Sequence, residues 1–204
     1  MIYFLSALIA YLLGSIQSSY LLCQLFYKKD IRSLGSKNAG ASNTVVNFGW
    51  KIGVAVGIID ISKAIVALLT IKNLFSPYTA SYNLELCLYI GALFVILGHN
   101  FPFYLKFKGG KGTASLAGVF LTLEFKFALI ALLLFIVIMW LTNYIAVSSV
   151  SLSVLFLIQA IWQKSAIMIL LICILIVLMF LFKHYENYKR IISGNETGFR
   201  KTLK

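Results

Sequence analysis

Three short segments of this chain carry residue types that can handle an anion. The sharpest runs from Gly98-His99-Asn100 through Phe101-Pro102 to Lys106-Phe107-Lys108-Gly109-Gly110-Lys111-Gly112-Thr113, directly before an apolar stretch. Glycines let a backbone approach an oxyanion, and the start of a helix carries about half a positive charge. Lys111 adds a full charge there, and Lys108 another nearby. The run is not a nucleotide-binding P-loop, which needs Gly, four residues, then Gly-Lys-Ser/Thr. Here Gly112 follows Lys111, and no strand pattern leads in. A second segment, Gly35-Ser36-Lys37-Asn38-Ala39-Gly40-Ala41-Ser42-Asn43, is rich in small donors and resists regular structure. Such a run suits an anion-binding nest; composition alone also allows a flexible linker. The third segment is His184-Tyr185-Glu186-Asn187-Tyr188-Lys189-Arg190, followed by Gly194-Asn195-Glu196. On a helix, His184, Asn187 and Ile191 share one face, and an imidazole can accept or donate a proton near neutral pH.

These segments must be positioned by lipid-embedded elements. The 204 residues are 61% hydrophobic and 12% charged, with mean hydropathy +0.94, whereas soluble domains carry roughly 25% charge. Such a chain has too little polar surface to face water throughout, so lipid is its solvent. Apolar runs near 3–26, 52–72, 85–99, 113–124, 127–142, 144–162 and 165–182 predict about seven helical spans, the fourth short enough to be re-entrant. Continuous rather than alternating apolarity excludes a β-barrel. The expected fold is therefore an all-α polytopic bundle forming a single domain over 1–204. No basic region precedes the apolar residues 1–13, so the first segment reads as a retained span.

The net charge is +12, from 18 Lys and Arg against 6 Asp and Glu. Most of the cations fall in three segments: Lys28 to Lys51, Lys106 to Lys111, and Lys183 to Lys204. The positive-inside bias places all three in the cytoplasm, the cation-free loop 73–84 outside, the N-terminus outside and the C-terminus inside. No single basic face exists, so nucleic acid is not an expected partner. Cys23, Cys87 and Cys173 lack metal-ligand spacing and read as small buried hydrophobes. Asp60 and Lys63 sit three residues apart inside the second span, where charges are paired or functional; a mutual pair is expected.

Taken in order and spacing, the segments resemble the PlsY family of acyl-phosphate:glycerol-3-phosphate acyltransferases. Gly35 to Asn43 matches its Gly-Ser-x-Asn-x-Gly-Ala-Thr-Asn motif, and Gly98 to Gly112 its Gly-His-x-Phe-Pro through Phe-Lys-Gly-Gly-Lys-Gly motif. His184, Asn187, Arg190, Gly194 and Glu196 match its His-x-x-Asn-x-x-Arg and Gly-x-Glu elements. Gly14-Ser15-Ile16 and Tyr20-Leu21-Leu22 fit its first helix, Asp60 and Lys63 its second.

The resemblance implies acyl transfer from acyl phosphate to the 1-hydroxyl of glycerol 3-phosphate, giving lysophosphatidic acid and phosphate. It implies a multi-pass enzyme of the bacterial plasma membrane, with its active site on the cytoplasmic face. No cofactor, metal or acyl-CoA donor is expected; membrane lipids are the other partners, and a monomer is expected. His184, Asn187, Lys111 and Ser36 are the expected catalytic set. Asn38, Gly40, Asn43, His99, Lys106, Lys108, Gly109, Gly110, Gly112, Thr113, Arg190 and Glu196 are the expected substrate-binding set. The general base is His184 or the donor's own phosphate oxygens. The chain departs from the family pattern at three places: Val46 stands at an arginine position, Asn143 replaces arginine in an Arg-Tyr pair, and Gln17-Ser18-Ser19 replaces Pro-Phe-Gly. Lys37 stands at a family glycine and can return a charge near Val46. A paralogue with altered substrate or weak activity, and a phosphate-holding membrane transporter, are the alternative readings.

Overall fold

The computed structural model describes residues 1–78 and 83–203, with the side chains of Thr202 and Leu203 excepted. Part of the loop expected outside, 79–82, and the basic-tail residue Lys204 lie outside the described residues. Within them the chain is helical and carries no strand. It divides into two compact units, Met1–Leu123 and Glu124–Lys204. Among the described residues, six helical segments are long and apolar enough to cross a membrane.

In the first unit, α1 (Ile2–Gly14) and α2 (Ser18–Tyr27) are two halves of one span. They part at Gln17, whose backbone leaves the helical region (φ −95°, ψ 88°). Carbonyls freed by a break inside lipid need donors. The Tyr104 hydroxyl donates to Ser15 O at 2.9 Å and accepts Gln17 N–H at 3.1 Å. Lys63 Nζ donates to Ile16 O at 2.7 Å. Helix α3 (Ala41–Phe48) is short and amphipathic, and meets α4 (Trp50–Phe75) at Gly49, which takes φ +84°. Helix α5 (Leu84–Asn100) packs closely on α1: a Cβ at Gly14 would fall 2.2 Å from Val95 O, and one at Gly98 2.3 Å from Tyr11 O. Helix α6 (Thr113–Leu123) has 11 residues, a length of about 16 Å at 1.5 Å per residue. That is about half a hydrocarbon thickness, so this segment is the short element the apolar pattern foreshadowed. Asp60 and Lys63 pair at 2.8 Å, buried, as expected. Cys23 and Cys87 are buried thiols, as is Cys173 in the second unit.

The segment after α2 is folded rather than a linker. Asp30 accepts from the backbone and guanidinium of Arg32 in a fork, with Nε to Oδ1 at 3.0 Å and Nη2 to Oδ2 at 2.7 Å. Arg32 Nη1 also donates to Leu105 O at 3.0 Å, tying this segment to the loop beyond α5. The Arg32 hydrogen bonds hold the Asp30 carboxyl below the usual carboxylate range. A depressed carboxyl pKa contributes stability that is present above about pH 3.9 and is lost as pH falls through the folded value. Thermal unfolding of the wild type should therefore change little between about pH 5 and 7 and fall below about pH 4. Arg32→Gln should start from a lower midpoint and lose less on the acid side.

In the second unit, α7 (Phe125–Thr142) and α8 (Ile145–Trp162) join at Asn143, which is left-handed (φ 65°). The tail docks on this turn: Phe199 N–H donates to Asn143 O at 2.7 Å, and Arg200 Nη2 to Trp140 O at 2.8 Å. Asn143 Oδ1 also accepts Arg200 N–H at 2.9 Å. Asn143, the departure from the family's arginine, thus has a fixed part in holding the tail. Helix α9 (Ile167–Ile192) runs unbroken through His184 and Asn187, both buried, so the expected shared face exists.

Candidate active site

In the first unit the two glycine-rich loops meet. The earlier one is organised by Asn43, at the start of α3. Its Oδ1 accepts Ser36 N–H and Asn47 Nδ2–H, each at 3.0 Å. Its Nδ2 donates to the carbonyls of Ile31, Leu34 and Asn38 at 3.0–3.1 Å. The side-chain amide of Asn43, expected among the substrate ligands, is engaged at both ends within the loop. Around it, Ser36 and Lys37 are exposed and Asn38 is half-buried. Gly40 caps α3 with an extended backbone, and its carbonyl takes Thr44 N–H and Oγ1–H. Lys37 adopts φ 58°, a left-handed geometry costing a lysine about 1 kcal/mol that glycine adopts freely. Val46 is exposed on α3.

The later loop is stapled shut at its base. Gly109 N–H donates to Asn100 O at 3.2 Å, and Gly110 N–H to His99 O at 3.0 Å. Between these, Lys106 and Phe107 take consecutive left-handed conformations (φ 55° and 58°). Tyr11 OH fastens Phe101 O at 2.8 Å, and Gln17 Nε2 fastens His99 O at 2.6 Å. The N–H groups of Gly109 and Gly110, expected to hold an anion, are thus spent on shaping the loop. Lys111, Gly112 and Thr113, also expected at the anion, follow directly and lead into the start of α6. There the first hydrogen bond of the helix is Leu116 N–H to Gly112 O, and backbone donors of a first helical turn point outward. Gly112 takes φ +86° and packs on Ile96 and Asn100. Lys106 and Lys108 are exposed, and Lys111 and Thr113 half-buried.

The loops touch at Gly110. A Cβ there would lie 2.0 Å from His99 Nε2 and 2.8 Å from Ala39 O. His99 itself is 3% exposed. It lies beneath the loop, its Nδ1 2.9 Å from Lys63 Nζ and 3.5 Å from Asp60 Oδ1. Ser18 Oγ completes the buried cluster, donating to Asp60 Oδ1 at 2.9 Å. His99 is therefore built into the support of the loop. The sequence signalled Asp60–Lys63 by spacing, but nothing in it signalled the third partner. Gln17, Arg32 and Tyr104 were also missed; the one available signal was the polar interruption at residues 15–18.

In the second unit, Asn187, Arg190 and Glu196 form a closed trio. Glu196 Oε1 accepts Asn187 Nδ2–H at 2.5 Å, and Oε2 accepts Arg190 Nε–H at 2.6 Å. The Asn195 and Glu196 N–H groups both reach Arg190 O, folding the chain back on the end of α9. Glu196 thus orients the two donors. Glu196→Ala should destabilise this corner by about 1–3 kcal/mol, the cost of orphaning charge-assisted partners. Differential hydrogen exchange should localise the loss to residues near 187–196. His184 Nδ1 lies 2.9 Å from Phe180 O. A carbonyl only accepts, so Nδ1 is the donor in this contact.

The fold and these sites define a multi-pass, all-helical integral membrane protein whose polar chemistry is concentrated in glycine-rich and basic segments at helix ends. The family model described as glycerol-3-phosphate acyltransferase matches residues 4–194. Glycerol-3-phosphate acyltransferase 1 of Oceanobacillus iheyensis is 38% identical, covering 97% of this chain and 95% of that protein. The glycerol-3-phosphate acyltransferase of Thermoanaerobacter pseudethanolicus is 37% identical, covering 95% and 93%. Among solved structures, the integral membrane acyltransferase PlsY (YgiH) in its glycerol 3-phosphate form superposes with a TM-score of 0.84. It is 28% identical, and the match covers 97% of this chain and 95% of that one. The lysophosphatidic acid form superposes at 0.80 with 27% identity, covering 98% of each. The chain belongs to the glycerol-3-phosphate acyltransferase family.

Proposed function

We propose that the chain transfers an acyl group from acyl phosphate to the 1-hydroxyl of glycerol 3-phosphate, releasing lysophosphatidic acid and phosphate. The observation that carries this reading is the stapled loop from Gly98 to Gly112, which sets Lys111 just before the start of α6 at Thr113. Both substrates present phosphate, and this loop offers it a cation and an oriented helix end. Lys108 and Lys106 extend the positive potential, and Ser36, Lys37 and Asn38 add donors on the other loop.

In the reaction the hydroxyl oxygen attacks the acyl carbonyl carbon, and the bond from that carbon to the phosphate oxygen breaks. Negative charge grows on the carbonyl oxygen, and a positioned cation or N–H group lowers that barrier. Lys111 is the first candidate. The hydroxyl proton goes either to His184 Nε2, on the strength of that ring's tautomer, or to the departing phosphate. Asn187 and Arg190 enter as substrate donors on their motif. Lys37 is proposed to supply the charge that Val46 lacks at the family's arginine position. No covalent enzyme intermediate or cofactor is invoked.

The whole chain, 1–204, is proposed to work as one acyltransferase domain and as a monomer in a bacterial plasma membrane. The basic segments and the C-terminus are proposed to face the cytoplasm, by the positive-inside bias, with the N-terminus outside.

The test that separates an enzyme from a transporter uses sealed proteoliposomes, labelled glycerol 3-phosphate outside, and palmitoyl phosphate in the bilayer. Label should appear in the lipid fraction as lysophosphatidic acid. Label accumulating unchanged in the lumen would favour transport and end the acyltransferase reading.

A further inference from the structure

We propose that the buried Asp60–Lys63 pair is a positioning device that fixes the tautomer of His99 and, through it, the junction of the two glycine-rich loops. This rests on the reading of those loops as the phosphate site.

An ammonium group has three protons and no acceptor. Lys63 Nζ has three acceptors within hydrogen-bond reach: Ile16 O at 2.7 Å, Asp60 Oδ1 at 2.8 Å and His99 Nδ1 at 2.9 Å. Each comes from a different span: the broken first, the second and the third. Donating all three protons makes Nδ1 of His99 the acceptor of the third, and its longer 3.5 Å approach to Asp60 Oδ1 is then a contact without a proton in it. The His99 imidazole is then neutral with its proton on Nε2. Nε2 is the atom against which Gly110 packs, beside the Ala39 carbonyl of the other loop. The ring therefore presents a donor edge to the contact between the loops: a tautomer change would set an N–H against Lys63 and a ring flip would set Cδ2–H there, and either loses the hydrogen bond. Asp60 balances the lysine's charge in a site where both side chains are at most 4% exposed, and Ser18 fixes Asp60 in turn. A buried pair of this kind is weak evidence of stabilisation, and specifying one arrangement is the better-attested use.

The cluster does not touch the reacting atoms in this account. It acts by holding the loop that ends in Lys111. Removing both charges together, Asp60→Asn with Lys63→Met, leaves no lone buried ion, and the amide oxygen introduced at position 60 can still accept from Ser18. That double variant tests position rather than folding.

The first readout is the imidazole 15N spectrum of histidine-labelled protein in nanodiscs, on a His184→Gln background so that only His99 reports. A protonated Nε2 and unprotonated Nδ1 are expected with Asp60 and Lys63 in place, and loss of that preference in the double variant. The second readout is steady-state kinetics with His184 present. The double variant should raise the KM for glycerol 3-phosphate or acyl phosphate about tenfold, the loss of one charge-assisted hydrogen bond's worth of positioning, with kcat within about threefold. A protonated Nδ1 in the parent, or a double variant with parental KM values, would overturn the proposal. Should the tautomer behave as expected while the parent protein transfers no acyl group, the tautomer assignment stands and the acyltransferase reading falls.

Discussion

Gly110→Ala is expected to lower kcat/KM for acyl transfer by about a hundredfold or more, the scale of a 1 Å misplacement at a reacting centre. The added methyl would sit 2.0 Å from His99 Nε2 and 2.8 Å from Ala39 O. Neither neighbour is a flexible tip. The His99 ring is pinned through Nδ1 by Lys63, and Ala39 contributes backbone. The stretch of chain leading into Lys111 must therefore move, and with it the donors proposed to hold phosphate. Gly57→Ala is the matched control: it lies in α4, and its added methyl meets only Ala41 Cβ at 3.9 Å. That variant should stay within about twofold of wild type, as benign packing changes do. Parallel initial-rate measurements with circular dichroism check both. Gly110→Ala within threefold of wild type would remove the loop junction from the account.

Asn43→Ala is the second large effect. This one side chain ties the first glycine-rich loop together, through Ser36, Ile31, Leu34, Asn38 and Asn47. Alanine leaves those groups without the amide. At about 1 kcal/mol net per bond, the loop loses about 3 kcal/mol or more of local stability. Activity should fall about 10²- to 10³-fold, and hydrogen exchange at Ser36 N–H should accelerate by a similar factor. Asn43→Asp should be no better than alanine. It keeps an acceptor for Ser36, but sets a second oxygen against the carbonyls of Ile31, Leu34 and Asn38. Retention of activity by the aspartate variant would mean that the Nδ2 donations to those three carbonyls do not hold the loop.

The legible part of this protein follows local rules. Continuous apolar runs give helices because a lipid-embedded backbone has no other partner, so the helical, membrane-spanning class was visible from the runs alone. The short α6 was visible because its run is bounded by Gly112 on one side and Glu124 on the other. His184 and Asn187 shared a face by spacing alone. The break at Gln17 was hidden, because small polar residues are tolerated inside a span. What permits the break lies far along the chain, at Lys63, 47 residues from Ile16, and at Tyr104, 89 residues from Ser15. The second glycine-rich loop was visible by composition, yet the spending of Gly109 and Gly110 N–H groups on Asn100 and His99 was not. A glycine's type announces close approach but does not say which atom approaches. The partners of Asn43 were hidden for the same reason: an asparagine in a glycine-rich run does not announce its five neighbours.

The most direct test of the central claim is acyl transfer by purified protein in nanodiscs, with labelled glycerol 3-phosphate and either palmitoyl phosphate or palmitoyl-CoA, for wild type and Lys111→Ala. Lysophosphatidic acid should form with the acyl phosphate alone, one phosphate released per product. Its rate should drop about 10²- to 10³-fold in Lys111→Ala, as when a transition-state donor is removed. Product from the thioester, or an unchanged rate in the variant, would contradict the account.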